Sequence, residues 1–282
     1  MKHLIVAIAL LASCSGIAKA QLEGGSVLIV TYSPNDIVMA ADSRLLNEQT
    51  GQFRDNYCKI AAPAGKILLG ETGIVASIGG FDAVRLATRI IQNEAATPKG
   101  GLVLDAATRW ADAMDENFAK LPPNLVRQII SQDAGNRALD CTLFAGAQSS
   151  GKLSLVRARL FYGGASSSGP GAVRYQIETI PLESPAPNYL NIAGCGNIDV
   201  LKEFTPPHSD WAKAEVRRWT LLKGDVKAQV AIRLVQLTIA REKPERFGSH
   251  EVVPVGGPVD AAELKQGSGI KWLERKPGCA AD

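Results

Sequence analysis

The sequence predicts an α+β fold in four layers, an αββα sandwich of two stacked antiparallel sheets flanked by helices. Three observations favour this class: the chain opens with an apolar β-hairpin, blocks of strands alternate with pairs of helices, and no repeat interrupts the 282 residues. Paired helices between blocks of strands are typical of antiparallel sheets that pack face to face, with the helices outside. We therefore expect a single domain over residues 26–282.

The opening hairpin brings polar residues together. Residues 24–32 are apolar and β-branched, residues 33–36 form a turn cluster, and a second apolar run ends in Asp42-Ser43-Arg44. In an antiparallel hairpin the start of one strand lies near the end of the next. We expect Ser26 to lie beside Asp42 at one edge of the sheet, with Arg44 as a structural partner of Asp42.

The other elements follow from periodicity and turn residues. Residues 45–56 are polar and predict a loop, and Gly70-Glu71-Thr72-Gly73 predicts a turn between two strands. The predicted strands are residues 57–61, 66–69, 74–78, 140–148, 152–162, 173–180, 189–193, 251–255, 259–264 and 270–273. The predicted helices are residues 81–92, 104–118, 125–131, 210–221 and 225–241.

The composition indicates a globular protein with a sizeable core, because 46% of the residues are apolar and 21% are charged. The formal net charge is +3, and it falls to +1 without residues 1–20, which carry two lysines and no acid. A near-neutral protein gives no electrostatic reason to expect nucleic acid or an anionic membrane as partner.

The first twenty residues have the pattern of an export signal: a basic start, an apolar run over residues 4–12, and Ala18-Lys19-Ala20 as a cleavage site. This run is far shorter than the roughly 20 residues that a membrane span needs. We expect export to the periplasm or the medium, without an integral span. A lipoprotein anchored through Cys14 is the alternative, because residues 11–14 resemble a lipoprotein cleavage box.

Four further cysteines are far apart in the sequence: Cys58, Cys141, Cys195 and Cys279. Export permits disulfides, and four cysteines allow three pairings between which the sequence does not choose. Unpaired cysteines buried as small core residues are the alternative. Beyond residue 20 the chain has two histidines and no cluster of metal ligands, so we expect no metal and no other cofactor.

The opening segment resembles a known family. Ser26 to Arg44, ending in Ala40-Ala41-Asp42-Ser43-Arg44, is similar to the start of proteasome β-type subunits and their bacterial relatives, within the N-terminal nucleophile (Ntn) hydrolases. The resemblance implies an enzyme that cleaves an amide or peptide bond with Ser26 as nucleophile. It also implies self-cleavage of the Gly25–Ser26 bond, which makes residues 21–25 a short propeptide.

The same resemblance implies roles for further residues. Lys59 matches the active-site lysine of the family, and Gly79 falls where a backbone N–H binds the oxyanion. Cys195 stands where the family has an auxiliary serine, and Glu242 stands where it has an aspartate. A second auxiliary serine has no clear match, because Val255 occupies the nearest place.

The chemistry of these residues is coherent without the family. A serine hydroxyl needs an adjacent base, and no Ser-His-Asp or G-x-S-x-G pattern supplies one. A free α-amine on Ser26, with a reference pKa of about 7.7–8.0, would serve. Lys59, kept charged by Asp42, would lower the pKa of the hydroxyl. The N–H of Gly79 would stabilise the oxyanion by roughly 3–4 kcal/mol.

Each of these residues also has a purely structural interpretation, so two other functions stay open. One is an inactive Ntn-fold protein with a binding or assembly role. The other is an unrelated exported binding protein, in which Ser26 only begins a strand. For the enzyme, the expected partner is a peptide or amide substrate. A homo-oligomer is also considered, because members of the family often form rings.

Overall fold

A computed structural model describes residues 22–47, 50–73, 76–77, 82–94, 102–121, 140–162, 173–185, 190–204, 209–247 and 249–279. The strands are β1 (Leu22–Gly24), β2 (Val27–Tyr32), β3 (Asp36–Ala41), β4 (Leu45–Asn47), β5 (Phe53–Arg54), β6 (Ile60–Ala61), β7 (Ile67–Gly73), β8 (Ala76–Ser77), β9 (Asp140–Ala147), β10 (Leu153–Tyr162), β11 (Val173–Ile180), β12 (Asn191–Gly196), β13 (Glu245–Phe247), β14 (His250–Val252), β15 (Asp260–Lys265) and β16 (Gly269–Glu274). The α-helices are α1 (Ala83–Glu94), α2 (Leu102–Ala119), α3 (Asp199–Lys202), α4 (Asp210–Trp219) and α5 (Val226–Arg241).

The strands pair antiparallel in four sheets. Sheet I has the order β12-β2-β3-β15-β16, and sheet II has the order β11-β10-β9-β7-β6. A four-stranded sheet has the order β5-β4-β1-β8, and β13 pairs with β14 alone. Strands β2 and β3 lie inside sheet I and are buried on both faces, which explains their continuous apolar runs.

The predicted four-layer αββα sandwich is wrong. The described residues form four antiparallel sheets and five α-helices, so the fold is β-rich, with two sheets that the prediction did not contain. The strands of the smaller sheets are two or three residues long, too short for an alternating pattern to be recognised. The predicted loop over residues 45–56 accordingly contains β4 and β5.

The predicted turn at residues 70–73 is also wrong, because these residues continue β7. Gly70 is needed for packing and not for a turn. A Cβ at this position would lie 2.8 Å from the Cδ1 atom of Leu28 in sheet I, so only glycine lets the two strands approach this closely. The sequence pattern of a turn glycine and that of a close-approach glycine are the same.

Apolar clusters hold the larger sheets and the helices together. Leu28, Met39 and Leu143 belong to a cluster shared by sheets I and II. Helices α1 and α2 pack with residues of sheet II, where Trp110 contacts the ring of Phe144. Helix α5 packs with residues of sheet I. Together these contacts fix the hairpin of β2 and β3 in the interior, with its open end at the site described below.

The long periodic elements confirm the predictions. The helices predicted at 81–92, 104–118, 210–221 and 225–241 are α1, α2, α4 and α5, and the predicted strands at 140–148, 152–162 and 173–180 are β9, β10 and β11. The signal at residues 1–20 with Cys14, the glycine pair at 79–80 and the helix predicted at 125–131 lie outside the described residues. Within the described part of the chain, no helix is long and apolar enough to cross a membrane.

The structure selects one of the three cysteine pairings. Cys58 is bonded to Cys279, and Cys141 is bonded to Cys195. The second bond joins β9 of sheet II to β12 of sheet I. The first ties the residue before Lys59 to the end of the described chain, so both disulfides lie near the predicted site.

Candidate functional site

The open end of the hairpin brings the predicted residues together. Leu28 pairs with Ala41, the backbone N–H of Val27 donates to Asp42 Oδ1 at 3.0 Å, and Asp42 N donates to Val27 O at 3.3 Å. The residue after Ser26 is therefore hydrogen-bonded directly to Asp42. This confirms that Ser26 and Asp42 lie close together, although at the end of two inner strands of sheet I and not at an outer edge of the sheet.

Arg44 differs from its prediction in one respect. Its backbone N–H donates to Asp42 Oδ2 at 3.2 Å, but its guanidinium binds both carboxylate oxygens of Asp55, at 2.6 and 2.7 Å. Arg44 therefore supports the position of Asp42 through its backbone, whereas its charge is paired with Asp55 in the neighbouring loop.

Asp42 and Lys59 form a fully buried ion pair. Lys59 Nζ lies 2.8 Å from Asp42 Oδ1, and both side chains have no exposed surface. The other carboxylate oxygen also accepts the backbone N–H of Gly256 at 3.0 Å. Burial lowers the pKa of Lys59 to about 8, although the charge of Asp42 favours the ammonium. The lysine is therefore still mostly protonated near neutral pH, but close to its titration point.

The ammonium of Lys59 also contacts the peptide bond that the resemblance singles out. Lys59 Nζ donates to the carbonyl oxygen of Gly25 at 3.0 Å. Gly25 has a φ of +82°, and a Cβ there would lie 3.0 Å from the carbonyl oxygen of Pro254. The left-handed backbone and the close approach both require glycine at this position.

The hydroxyl of Ser26 is buried and unused. Ser26 is 3% exposed, and its Oγ atom has no hydrogen-bond partner among the described residues. Its carbonyl oxygen accepts the backbone N–H of Asn197 at 2.9 Å, which fixes the main chain. A buried hydroxyl without a partner is uncommon and calls for an explanation, of which a chemical role is one.

Glu242 reaches Ser26 through Asn197. Both carboxylate oxygens of Glu242 accept from the Asn197 side-chain amide, at 2.8 and 2.7 Å, while the Asn197 backbone holds Ser26. Burial, together with the negative charges of Glu245 and Asp199, raises the pKa of Glu242 to about 7. Glu242 is therefore arranged to position the strand that carries Ser26.

Cys195 lies beside the same strand, opposite Leu28. Its sulfur is bonded to Cys141, so the side chain carries no S–H proton in this state. Gly79, the predicted oxyanion donor, lies outside the described residues. The structure thus brings together Ser26, Asp42, Lys59, Cys195 and, through Asn197, Glu242.

A second buried ion pair was missed by the sequence reasoning. Lys276 Nζ lies 2.5 Å from Asp260 Oδ2, and both side chains are buried. The positive charge of Lys276 contributes to the lowered pKa of Lys59, and burial lowers the pKa of Lys276 itself. The available signal was the position of two cysteines, because Cys58 precedes Lys59 and Cys279 follows Lys276 by three residues.

A cavity of about 750 Å³ opens beside Ser26. Its lining includes Asn197 and both cysteines of the disulfide that joins the two sheets, Cys141 and Cys195. It also includes charged side chains from β10, α3 and β13. This volume lies in the range of ligand-binding clefts. Among the residues that the structure describes, no group of three or more His, Cys, Asp or Glu side chains is placed to hold a metal ion.

Comparison with known proteins leaves the family open. No protein-family model matches the chain, and no curated protein matches it. Among solved structures it is similar to the Gly-1 mutant of Anbu from Hyphomicrobium sp. strain MC1, with a TM-score of 0.46 and 15% sequence identity. That match covers 88% of this chain and 87% of the other. A likeness at this level carries no argument, so function is argued from the site alone.

Proposed function

We propose that this protein is a proteasome-like Ntn hydrolase that cleaves an amide or peptide bond with Ser26 as its N-terminal nucleophile. The observation that carries the proposal is the 3.0 Å hydrogen bond from Lys59 Nζ to the carbonyl oxygen of Gly25. That carbonyl belongs to the Gly25–Ser26 peptide bond, whose cleavage would free the amine of Ser26. A buried ammonium directed at this oxygen stabilises negative charge that develops there during attack.

Processing follows from this contact. The Oγ atom of Ser26 attacks the carbonyl carbon of Gly25, and the ammonium of Lys59 stabilises the oxygen as it becomes negative. The C–N bond then breaks, the proton given up by the Ser26 hydroxyl passes to the nitrogen that becomes the α-amine of Ser26, and Gly25 is held as an ester on Oγ. Water hydrolyses the ester, which leaves a carboxylate on Gly25 and a free amine and hydroxyl on Ser26.

Turnover would use the group that processing creates. The α-amine of Ser26, with a reference pKa of about 7.7–8.0, accepts the hydroxyl proton as Oγ attacks a substrate carbonyl. The proton passes to the leaving amine, and water then hydrolyses the acyl ester. Lys59 no longer bonds to Gly25 after cleavage, and its ammonium lowers the pKa of the Ser26 hydroxyl.

Export is part of the proposal. Two disulfides persist in an oxidising compartment and are uncommon in the cytosol. The signal pattern of residues 1–20 supports the same location. A lipid anchor at Cys14 is the alternative form of export. Mass analysis of the unprocessed Ser26→Ala variant separates the two, because this variant keeps the residues between the signal and Gly25.

A second candidate is an inactive protein that keeps this scaffold for binding or assembly. The bond between Cys141 and Cys195 favours it, because no hydroxyl or thiol remains where the resemblance implies an auxiliary serine. Val255 likewise offers no hydroxyl near Ser26, although it lines the same cavity. The state of the Gly25–Ser26 bond decides between this candidate and the enzyme.

Intact-mass analysis of protein purified from its export route tests the proposal. The wild-type chain should lack every residue before Ser26, whereas the Ser26→Ala and Lys59→Met variants should retain Gly25. Ser154→Ala, a buried serine on β10, and Lys227→Met, an ion-paired lysine at the other end of the hairpin, are matched controls that should be processed normally. A folded wild-type protein that keeps Gly25 would contradict the proposal.

A further inference from the structure

Two arginines of β10 line the cavity that contains Ser26. Arg157 and Arg159 are two residues apart, so they project from the same face of the strand. Leu155, on that face, packs in the cluster shared by sheets I and II, so the arginines lie on the side of sheet II that faces the cleft. Their side chains are 21% and 33% exposed, which leaves them accessible from the cavity.

The arginines carry more positive charge than their protein partner neutralises. Glu178 accepts from Nη2 of Arg157 at 2.9 Å with each oxygen and from Nη2 of Arg159 at 2.9 Å. The hydrogen bond from Arg157 lowers the pKa of Glu178, so this carboxylate stays ionised. Among the described residues, the two guanidinium groups therefore share the single negative charge of Glu178. Each also has further N–H groups besides the Nη2 atom that Glu178 binds.

Other charges at the cavity do not remove this excess. Asp199 is paired with Lys202 at 2.6 Å, so these two lining residues offset each other. Glu245 and Arg246 also line the cavity and have opposite signs. The positive charge that remains is therefore located at the arginines of β10.

Strand register relates the backbone that carries this charge to the backbone beside the nucleophile. Arg159 pairs with Cys141, which pairs with Thr72 on the next strand, so Thr72 and Arg159 are two strand spacings, or about 10 Å, apart. Thr72 lies beside the Ser26 main chain, because a Cβ on Gly196 would approach both. An extended peptide advances about 3.3 Å per residue, so the separation corresponds to about three residues.

We infer that Arg157 and Arg159 form a subsite for a carboxylate of the substrate, about three residues from the bond that is cleaved. The substrate class is then a peptide with a Glu or Asp side chain, or a terminal carboxylate, at that distance. Guanidinium groups bind carboxylates through paired N–H donors, which provides both charge and geometry for the recognition. This inference rests on the proposed function for its cleavage step, although the binding itself can be measured without cleavage.

Peptide binding to the Ser26→Ala protein tests the subsite. The probes are fluorescein-labelled alanine-based hexapeptides that carry Glu or Gln at one position, and each position is tested in turn. Fluorescence anisotropy measures their binding. We expect at least one Glu peptide to bind at least about tenfold more tightly than its Gln counterpart. The reason is that the Gln peptide lacks the charged carboxylate that accepts hydrogen bonds from the arginines. The difference should vanish when Arg157→Gln and Arg159→Gln are added, and Arg233→Gln, on α5, should leave it unchanged.

A further variant separates ligand binding from a structural role of the arginines. Glu178→Gln removes the competing carboxylate and should strengthen binding of the same Glu peptide, whereas a structural role would give no gain. Equal affinity of every Glu and Gln pair, no binding of any peptide, or a preference that survives in the double arginine variant would overturn the inference.

The outcomes for the two proposals are distinct. Arginine-dependent binding of Glu peptides without processing at Ser26 would support the subsite and contradict the hydrolase. Hydrolysis of Glu and Gln peptides at equal rates by the wild-type protein would support the hydrolase and contradict the subsite.

Discussion

The two ends of the β2–β3 hairpin each hold an aspartate–lysine ion pair, and they differ in burial. At the open end, Asp42 and Lys59 have no exposed side-chain surface. At the turn end, the side chains of Asp36 and Lys227 are 19% and 21% exposed. Both pairs join an aspartate to a lysine, so the two ends differ in how far solvent reaches the ion pair. Burial is what lowers the pKa of Lys59 to about 8.

The two aspartates also differ in how they are held. Asp42 accepts backbone N–H groups from Val27, Arg44 and Gly256, of which the last is 214 positions away in sequence. Asp36 is held by the nearby Ser33 hydroxyl and by Lys227 of α5. The turn end thus needs mainly local structure, whereas the open end requires that distant parts of the chain come together.

The largest expected effect is on stability. Asp42→Asn leaves the charge of Lys59 buried without a partner and should lower the free energy of unfolding by about 3–5 kcal/mol. Asp36→Asn, at the partly exposed pair, should cost about 1 kcal/mol or less. Urea unfolding measures both. Adding Lys59→Met to Asp42→Asn should recover part of the lost stability, because the unpaired charge is then removed. If Asp42→Asn and Asp36→Asn lowered the free energy of unfolding equally, burial would not be what distinguishes the two ends.

The next effect concerns the backbone at the open end. Gly25→Ala forces a left-handed conformation on alanine, which should cost about 1–2 kcal/mol, and its Cβ would press on Pro254. Gly151→Ala is the matched control, because its φ is also positive but no atom lies near the added methyl group. Unfolding should show a similar backbone cost for both. Only Gly25→Ala should slow cleavage at Ser26, by displacing the carbonyl from Lys59; an equal delay in the control would contradict this account.

The smallest effect is a shift in pH dependence. Processing needs the ammonium of Lys59, so its rate should fall as the pH rises through about 8. Turnover also needs a neutral amine on Ser26, with a reference pKa of about 7.7–8.0, and should show a narrow optimum near the same pH. Mass analysis of freshly made precursor and peptide hydrolysis measure the two profiles. A processing rate that stays constant through this range would contradict the requirement for a Lys59 ammonium that titrates near pH 8.

The same lowered pKa predicts the sign of a stability change. Between pH 8 and 10.5, the ordinary pKa of a lysine, the unfolded chain binds more protons at this lysine than the folded chain does. Its contribution to the free energy of unfolding should therefore increase with pH across that window and be constant below it. Lys59→Met should remove this increase, whereas Lys227→Met should leave it in place.

Local patterns predicted the hairpin, and the hairpin alone placed Ser26 near Asp42. The proximity of Lys59 came from the family resemblance, because no short-range pattern links residues 33 positions apart. Four of the two-residue and three-residue strands, β1, β4, β5 and β13, were missed, since their sequences are too short to show a period. Asp55 as partner of Arg44 and Asp260 as partner of Lys276 were also missed, because these contacts form only when the chain has folded.

The pairing of the cysteines shows the same limit. Spacing alone left three possibilities, whereas the fold brings Cys58 and Cys279 together across 221 positions. Gly70 shows that even a correctly noticed residue can be misassigned, because close packing and turning require the same amino acid. What the sequence predicted well is local structure, and what it did not predict is which distant residues complete the site.

The bond between Cys58 and Cys279 has a consequence for biosynthesis. A growing polypeptide that has not reached Gly256 and Lys276 lacks the backbone N–H that binds Asp42 and the positive charge that helps to lower the pKa of Lys59. The environment that tunes this lysine is complete only when the last part of the chain has been made, folded back and oxidised. The proposed cleavage before Ser26 would thus wait for a segment that lies more than 200 positions further along the chain, since Cys58 and Cys279 are 221 positions apart.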